Sequence, residues 1–148
     1  MRELIRTHGL TFAFVVSLVA TGGSLFLSEV MHFMPCELCW FQRIFMYPLV
    51  LLLGRAAIRD DRAMAGYALP LSIIGGLFST YHYAKQKVPG FADIAPCRAG
   101  IPCHTDYLDW FGVITIPFLA LVAFILITVF LVMSRKEAAV DEEETMAG

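Results

Sequence analysis

The sequence predicts an all-α fold: an integral membrane four-helix bundle with two outward-facing cysteine loops. Three observations lead there. The 148 residues are 58% hydrophobic and only 16% charged, against roughly 45–50% apolar for ordinary soluble domains, and mean hydropathy is +0.69. Tracts free of Asp, Glu, Lys and Arg run from Thr7 to Ser28, Ala63 to Ala84 and Trp110 to Ser134. Each reaches the roughly 20 residues that a helix needs to cross a hydrocarbon core of about 30 Å. The four cysteines fall into two pairs, Cys36/Cys39 and Cys97/Cys103, each in a short stretch between apolar runs.

The first span is expected at about 10–28. Arg2 and Arg6 ahead of it resemble the basic start of a signal peptide. The apolar run is too long for that, and Glu29-Val30-Met31-His32 follows it with no small-x-small cleavage site. It reads as an uncleaved span. The second span, about 41–58, is the weakest by composition, because its uncharged core is only Ile44 to Gly54, between Arg43 and Arg55. Arginine stems reach toward headgroups, which permits a longer crossing. Parity favours it too, since without it the two cysteine pairs fall on opposite faces. The third and fourth spans are expected at about 65–84 and 111–133, joined to their neighbours by a tight turn at Arg59-Asp60-Asp61-Arg62 and by a longer loop from Lys85 to Asp109. That loop carries Pro89-Gly90, Pro96, Gly100 and Pro102, all turn formers. Residues 1–134 thus form one membrane domain. The acidic tail 135–148, with Asp141-Glu142-Glu143-Glu144, is expected to be disordered. Pro48, Pro70 and Pro117 lie inside expected spans, where each removes a backbone donor. Gly75-Gly76 permits close helix approach.

Charge sets the orientation. Arg2, Arg6, Arg55, Arg59, Arg62, Arg135 and Lys136 fall on one side; Arg43, Lys85, Lys87 and Arg98 fall on the other. The positive-inside bias makes the first side cytoplasmic, with both termini there. All four cysteines then face the extracytoplasmic, oxidising side, where disulfides persist. No basic run suggests a nucleic acid partner.

Cys36-Glu37-Leu38-Cys39 follows Pro35. Two intervening residues let the sulfurs meet without rearranging the fold. At the start of a helix, the free N–H groups of the first turn favour the thiolate. Arg43 stands four residues after Cys39, on the same helix face, and adds a cation near that sulfur. Cys97 and Cys103 enclose Gly100 and Pro102, which favour a closed turn. Two dithiols at one membrane face are the parts of an electron relay between thiols and a lipid-soluble acceptor. Arg43 and His82 lie near the same boundary, within reach of a ring-shaped acceptor, and Trp40 is either a wall for that ring or part of an interfacial aromatic belt. A zinc site from the four cysteines, with His32 and His104 available, fits poorly because the second spacing is wide and the compartment oxidising. Neither a metal nor a flavin is expected. Two static structural disulfides remain an alternative.

The run Cys36-Glu37-Leu38-Cys39-Trp40-Phe41-Gln42-Arg43 resembles the DsbB/BdbC family of quinone-coupled thiol oxidases. Pro35 to Leu52, Lys85-Gln86-Lys87-Val88-Pro89-Gly90-Phe91 and Trp110-Phe111-Gly112 look particularly like the Gram-positive BdbC branch. The resemblance implies a bacterial cell-membrane enzyme that reoxidises a DsbA- or BdbD-like extracytoplasmic thiol oxidase and passes the electrons to ubiquinone or menaquinone. It implies that Cys97 is attacked by the partner, that Cys103 then attacks Cys36, and that Cys39 is freed as a thiolate toward the quinone. Arg43 would contact a quinone oxygen, and His82, with Gln86 four residues on, would lie near the ring. A vitamin K epoxide reductase-like protein is a further alternative. There the Cys-x-x-Cys sits toward the fourth helix, whereas here it precedes the second.

Overall fold

The computed structural model describes residues 2–88, 90 and 111–147. Among these, four long helices are arranged so that each packs on its neighbours in sequence and the last closes on the first. Helix α1 spans Arg2–Leu25 and continues as a π-helical turn, Phe26–Val30. Helices α2, α3 and α4 span Glu37–Arg59, Met64–Lys87 and Ile116–Ala147. This is an all-α membrane helical bundle. Its apolar residues point outward as well as inward: Val19, Leu51, Ile58 and Leu77 are all more than half exposed. In water such a surface would drive association; in lipid it costs nothing.

The core follows helical periodicity. On α2 the buried residues are Leu38, Gln42, Met46, Leu49, Leu53, Gly54 and Ala56, steps of mostly three and four that make one stripe. On α3 the stripe is Ala65, Ala68, Ser72, Gly75, Ser79, His82 and Lys85. Its small members let α4 approach closely, the usual basis of helix association in lipid. Phe124 of α4 lies so close to Gly75 that an added Cβ would run into its ring. Beside it Ser72 donates to the Phe124 carbonyl at 3.1 Å and meets the Thr128 hydroxyl at 2.9 Å. Leu10, Ala13, Met46, Leu49, Leu53, Ala123, Phe124, Ile127 and Leu131 fill the centre.

Among the described residues, three helical segments are long and apolar enough to cross a membrane: His8–Val30, Glu37–Arg59 and Ile116–Lys136. The second of these includes the span whose uncharged core looked shortest. Helix α3 is not among them, although its 24 residues are enough, at 1.5 Å each, to cross. Ser72, Gly75, Ser79, His82 and Lys85 lower its hydropathy, and all five are buried in the bundle rather than turned to lipid.

Helix α2 begins at Glu37, with Cys36 in extended geometry at its N-cap, so the Cys-x-x-Cys stands at a helix start and the helix reaches beyond the span expected from about 41. Helix bounds differ from expectation in two places. Helix α4 begins at Ile116 rather than near 111, its first turn set by the bond from the Leu119 N–H to the Thr115 carbonyl. Pro117 therefore sits in the first turn, where no intrahelical N–H bond is lost. The acidic segment expected to be disordered instead continues α4 to Ala147. An existing helix needs no new nucleus, and Ala, Glu and Lys extend one readily. The short connection after α2 is closed by Asp60 in the left-handed region and by Asp61, whose side chain accepts from the Ala63 N–H at 3.1 Å.

Candidate redox site at the start of helix α2

The site forms where the N-terminus of α2 meets the C-terminal end of α3. Cys36 at the N-cap and Cys39 one turn later bring their sulfurs within 2.9 Å. Both thiols are free, and closing them to the roughly 2.05 Å of a disulfide takes a shift of less than about 1 Å. The buried stripe of α3 includes His82, which is 1% exposed, and its Nε2 stands 3.5 Å from the Cys36 sulfur. Leu38, Phe78 and Tyr81 pack around the pair, and Phe41 and Phe45 stack on Phe78 at 5.2 and 5.5 Å, fastening α2 to α3 beneath it.

The hydrogen bond from the Cys39 thiol holds the Cys36 thiol down to about 4 from its ordinary 9.0. His82 adds to the effect, and burial opposes it. The form that attacks disulfides is thus available at Cys36 in the reduced pair. In full-length protein with Cys97 and Cys103 replaced by serine, the thiolate absorbance of the reduced pair should persist through neutrality. It should fade only near about pH 4, whereas an ordinary thiol loses it on passing below about pH 8. Loss near pH 8 would show that neither Cys39 nor His82 stabilises the anion.

A cavity of about 520 Å³ opens beside the sulfurs, lined by residues of all four helices. Cys36, Cys39, Gln42, Arg43, His82 and Gln86 make its lining polar toward the sulfur end. Most of the remaining lining is apolar, with Val15, Val19, Leu27, Leu119 and Leu126 among its walls. Volumes of about 300–1,000 Å³ with few convergent polar groups are typical of small-molecule sites.

The sequence-predicted residues separate within this frame. Cys36, Cys39, His82 and Arg43 come together at the cavity. Arg43 shares the face of Cys39 as its spacing requires, but its side chain also reaches α1. Its Nε donates to Ser24 Oγ and one terminal nitrogen to the Ser24 carbonyl, each at 3.0 Å. Trp40 does not line the cavity: it is 54% exposed, with the Arg43 guanidinium 5.4 Å over its ring. Cys97 and Cys103 lie outside the described residues, as do His104 and Trp110.

Sequence reasoning missed Ser24, and gave no role to Gln42 or Tyr47. Gln42 is 6% exposed, and among the described residues its side-chain nitrogen has no hydrogen-bond partner; the buried Tyr47 hydroxyl has none among them either. Both line the cavity. The signal for them was in the helical register, since positions 42, 43, 46 and 47 fall three, four, seven and eight residues after Cys39. Ser24 carried no such signal, because its pairing depends on how α1 packs.

Comparison with known proteins agrees with this geometry. The sequence model of the family described as "Disulfide bond formation protein DsbB" matches residues 6–134. The chain is 55% identical over 125 residues to "Disulfide bond formation protein C" of Bacillus subtilis, covering 84% of this chain and 91% of that protein. It is 48% identical over 137 residues to "Probable disulfide formation protein C 1" of Bacillus cereus, covering 91% and 99%. It is also 47% identical over 134 residues to "Probable disulfide formation protein" of Coxiella burnetii, covering 89% and 90%. No solved structure matches the chain. A dithiol at a helix start suits thiol–disulfide chemistry, and the match over residues 6–134 shows that the chain belongs to the DsbB family of disulfide bond formation proteins.

Proposed function

We propose that the protein is a quinone-dependent disulfide oxidoreductase of the bacterial cell membrane. It reoxidises a DsbA/BdbD-like extracytoplasmic thiol oxidase and so sustains disulfide formation in exported proteins. The observation that carries this reading is the cavity beside Cys36 and Cys39, whose lining is mostly apolar with a few polar side chains, Gln42, Arg43 and His82 among them, near the sulfurs. An amphipathic ring on an apolar tail matches that distribution.

The partner's thiolate attacks Cys97, forming a mixed disulfide and releasing Cys103; a second partner thiol then completes the partner's disulfide. Cys103 attacks Cys36, which frees Cys39 as a thiolate. Cys97, left as a thiolate when the partner's disulfide closes, then attacks Cys103, restoring the Cys97–Cys103 bond and releasing Cys36, so that Cys36 and Cys39 are a reduced pair. That pair closes to its disulfide again as it gives up two electrons and two protons. A quinone, when bound, would supply the acceptor for those two electrons and the two protons. Gln42, whose amide nitrogen has no partner among the described residues, and Arg43, anchored on Ser24, offer hydrogen-bond donors near the sulfurs. His82 lies against Cys36 and is positioned to hold or pass its proton. Thiol exchange steps are nearly symmetric, so direction comes from the acceptor, and about 30 mV of potential difference already supplies about 1.4 kcal/mol.

This function requires both cysteine pairs on the extracytoplasmic side, with both termini in the cytoplasm, as the Lys/Arg bias favours. Impermeant maleimide applied to intact cells after reduction should label single-cysteine variants at Cys97 and at Cys103. Labelling of either only after the membrane is permeabilised would contradict the reading.

A further inference from the structure

We propose that the reduced Cys36–Cys39 pair and His82 together form a binding site for a single thiophilic d10 cation of the zinc class, and that an ion held there blocks reoxidation of the pair. The inference goes beyond the quinone reading and does not depend on it. It uses only the three donor atoms, which all lie within 4.8 Å of one another.

The donor geometry is close to what such an ion takes. Zinc bound at about 2.3 Å to sulfur and about 2.0–2.1 Å to nitrogen in a tetrahedron sets two sulfurs roughly 3.8 Å apart and sulfur and nitrogen roughly 3.6 Å apart. Cys36 Sγ and His82 Nε2 already stand at 3.5 Å, and the two sulfurs, at 2.9 Å, need only open by about 1 Å. The donors are two soft thiolates and an imidazole with no carboxylate among them, a set that selects zinc, cadmium or copper(I) over magnesium or calcium. Three protein ligands leave a fourth position, and Cys36, Cys39 and His82 all line the cavity, so that position has room for water. Binding is not a redox step: a divalent ion takes both sulfurs as thiolates, any thiol proton still held leaves to solvent, and both sulfurs remain reduced. With each sulfur bonded to the ion, neither can close onto the other, and the oxidised pair has no thiolates to offer. Metal and disulfide are therefore mutually exclusive states of one site.

The test uses the full chain with Cys97 and Cys103 replaced by serine, purified in detergent, reduced, and titrated with Cd2+ in the absence of quinone. The expected result is one ion per chain, with thiolate-to-cadmium charge-transfer absorption that a chelator removes. His82→Ala should weaken binding by about 10-fold or more, since even outer partners of metal ligands are worth about 10–100-fold. His82→Cys should restore it. X-ray absorption of the zinc-loaded parent should show two sulfur neighbours with a nitrogen of imidazole type, a readout that stands even if a His82 variant fails to fold. Half an ion per chain, unchanged affinity in His82→Ala, or a zinc shell without imidazole would overturn the proposal. A protein that binds Cd2+ as expected but never reduces quinone would leave this site standing and remove the quinone reading instead.

Discussion

Cys39→Ser should reduce quinone turnover by about 1,000-fold or more, to the level of the uncatalysed reaction. Removing a residue that forms the bond being made costs on that scale in other enzymes. Here the reason is stoichiometric as well as energetic. Two sulfurs within 2.9 Å supply two electrons by becoming one bond, and a serine hydroxyl cannot replace either of them. Serine is nearly isosteric and keeps a donor toward Cys36, so the helix start and the packing of Leu38, Phe78 and Tyr81 should survive. Unchanged helical content with no quinol formed is the expected pair of results. Normal turnover in the purified variant would show that the electrons leave by another route.

Arg43→Ala should raise the KM for quinone by about 10- to 100-fold. Hydrogen bonds to charged groups are worth about 1.5–3 kcal/mol, and each 1.4 kcal/mol is about tenfold. The guanidinium has two calls on it, which makes the readout informative. It lines the polar end of the cavity, and it ties α2 to α1 through Ser24. Arg43→Lys should recover part of the loss, since an ammonium keeps the charge but cannot reproduce the two-nitrogen grip on one residue. Oxidation of one equivalent of the partner in a quinone-free assay should be nearly unchanged in Arg43→Ala. An equal loss in both assays would mean that the α1–α2 tie, rather than the cavity, is what Arg43 supplies.

Much of this site was legible before any coordinates. Cys-x-x-Cys after a proline announces a dithiol near a helix start, and the four-residue step from Cys39 to Arg43 fixes a shared face. The association of His82 with the pair was only suggested by its position near the end of a span. What brings it to Cys36 is the stripe of Ala65, Ala68, Ser72, Gly75 and Ser79, whose small side chains set how α3 lies against its neighbours. Trp40 shows the reverse case. One residue from Cys39 places it about 100° around the helix, so it faces outward although it is adjacent in sequence.

The fold shows the same division. Composition alone reveals a lipid-facing chain, because the exposed apolar residues need no partner to be recognised. Helix ends depend on local capping, which composition does not register. Cys36 caps α2 in extended geometry and the Leu119–Thr115 bond sets the start of α4, so both helices begin where their charge-free tracts do not. The segment from Arg135 looked disordered because it is acidic. Its helix propensity and its attachment to a finished helix count for more than its charge.

The most direct measurement is anaerobic and stoichiometric. Purified protein with Cys97 and Cys103 replaced by serine, reduced at Cys36 and Cys39 and freed of reductant, is mixed with an excess of ubiquinone or menaquinone. The account predicts one quinol formed per chain as two thiols disappear. Thiols that persist while the quinone stays oxidised would contradict it and leave two static crosslinks as the better description of these cysteines.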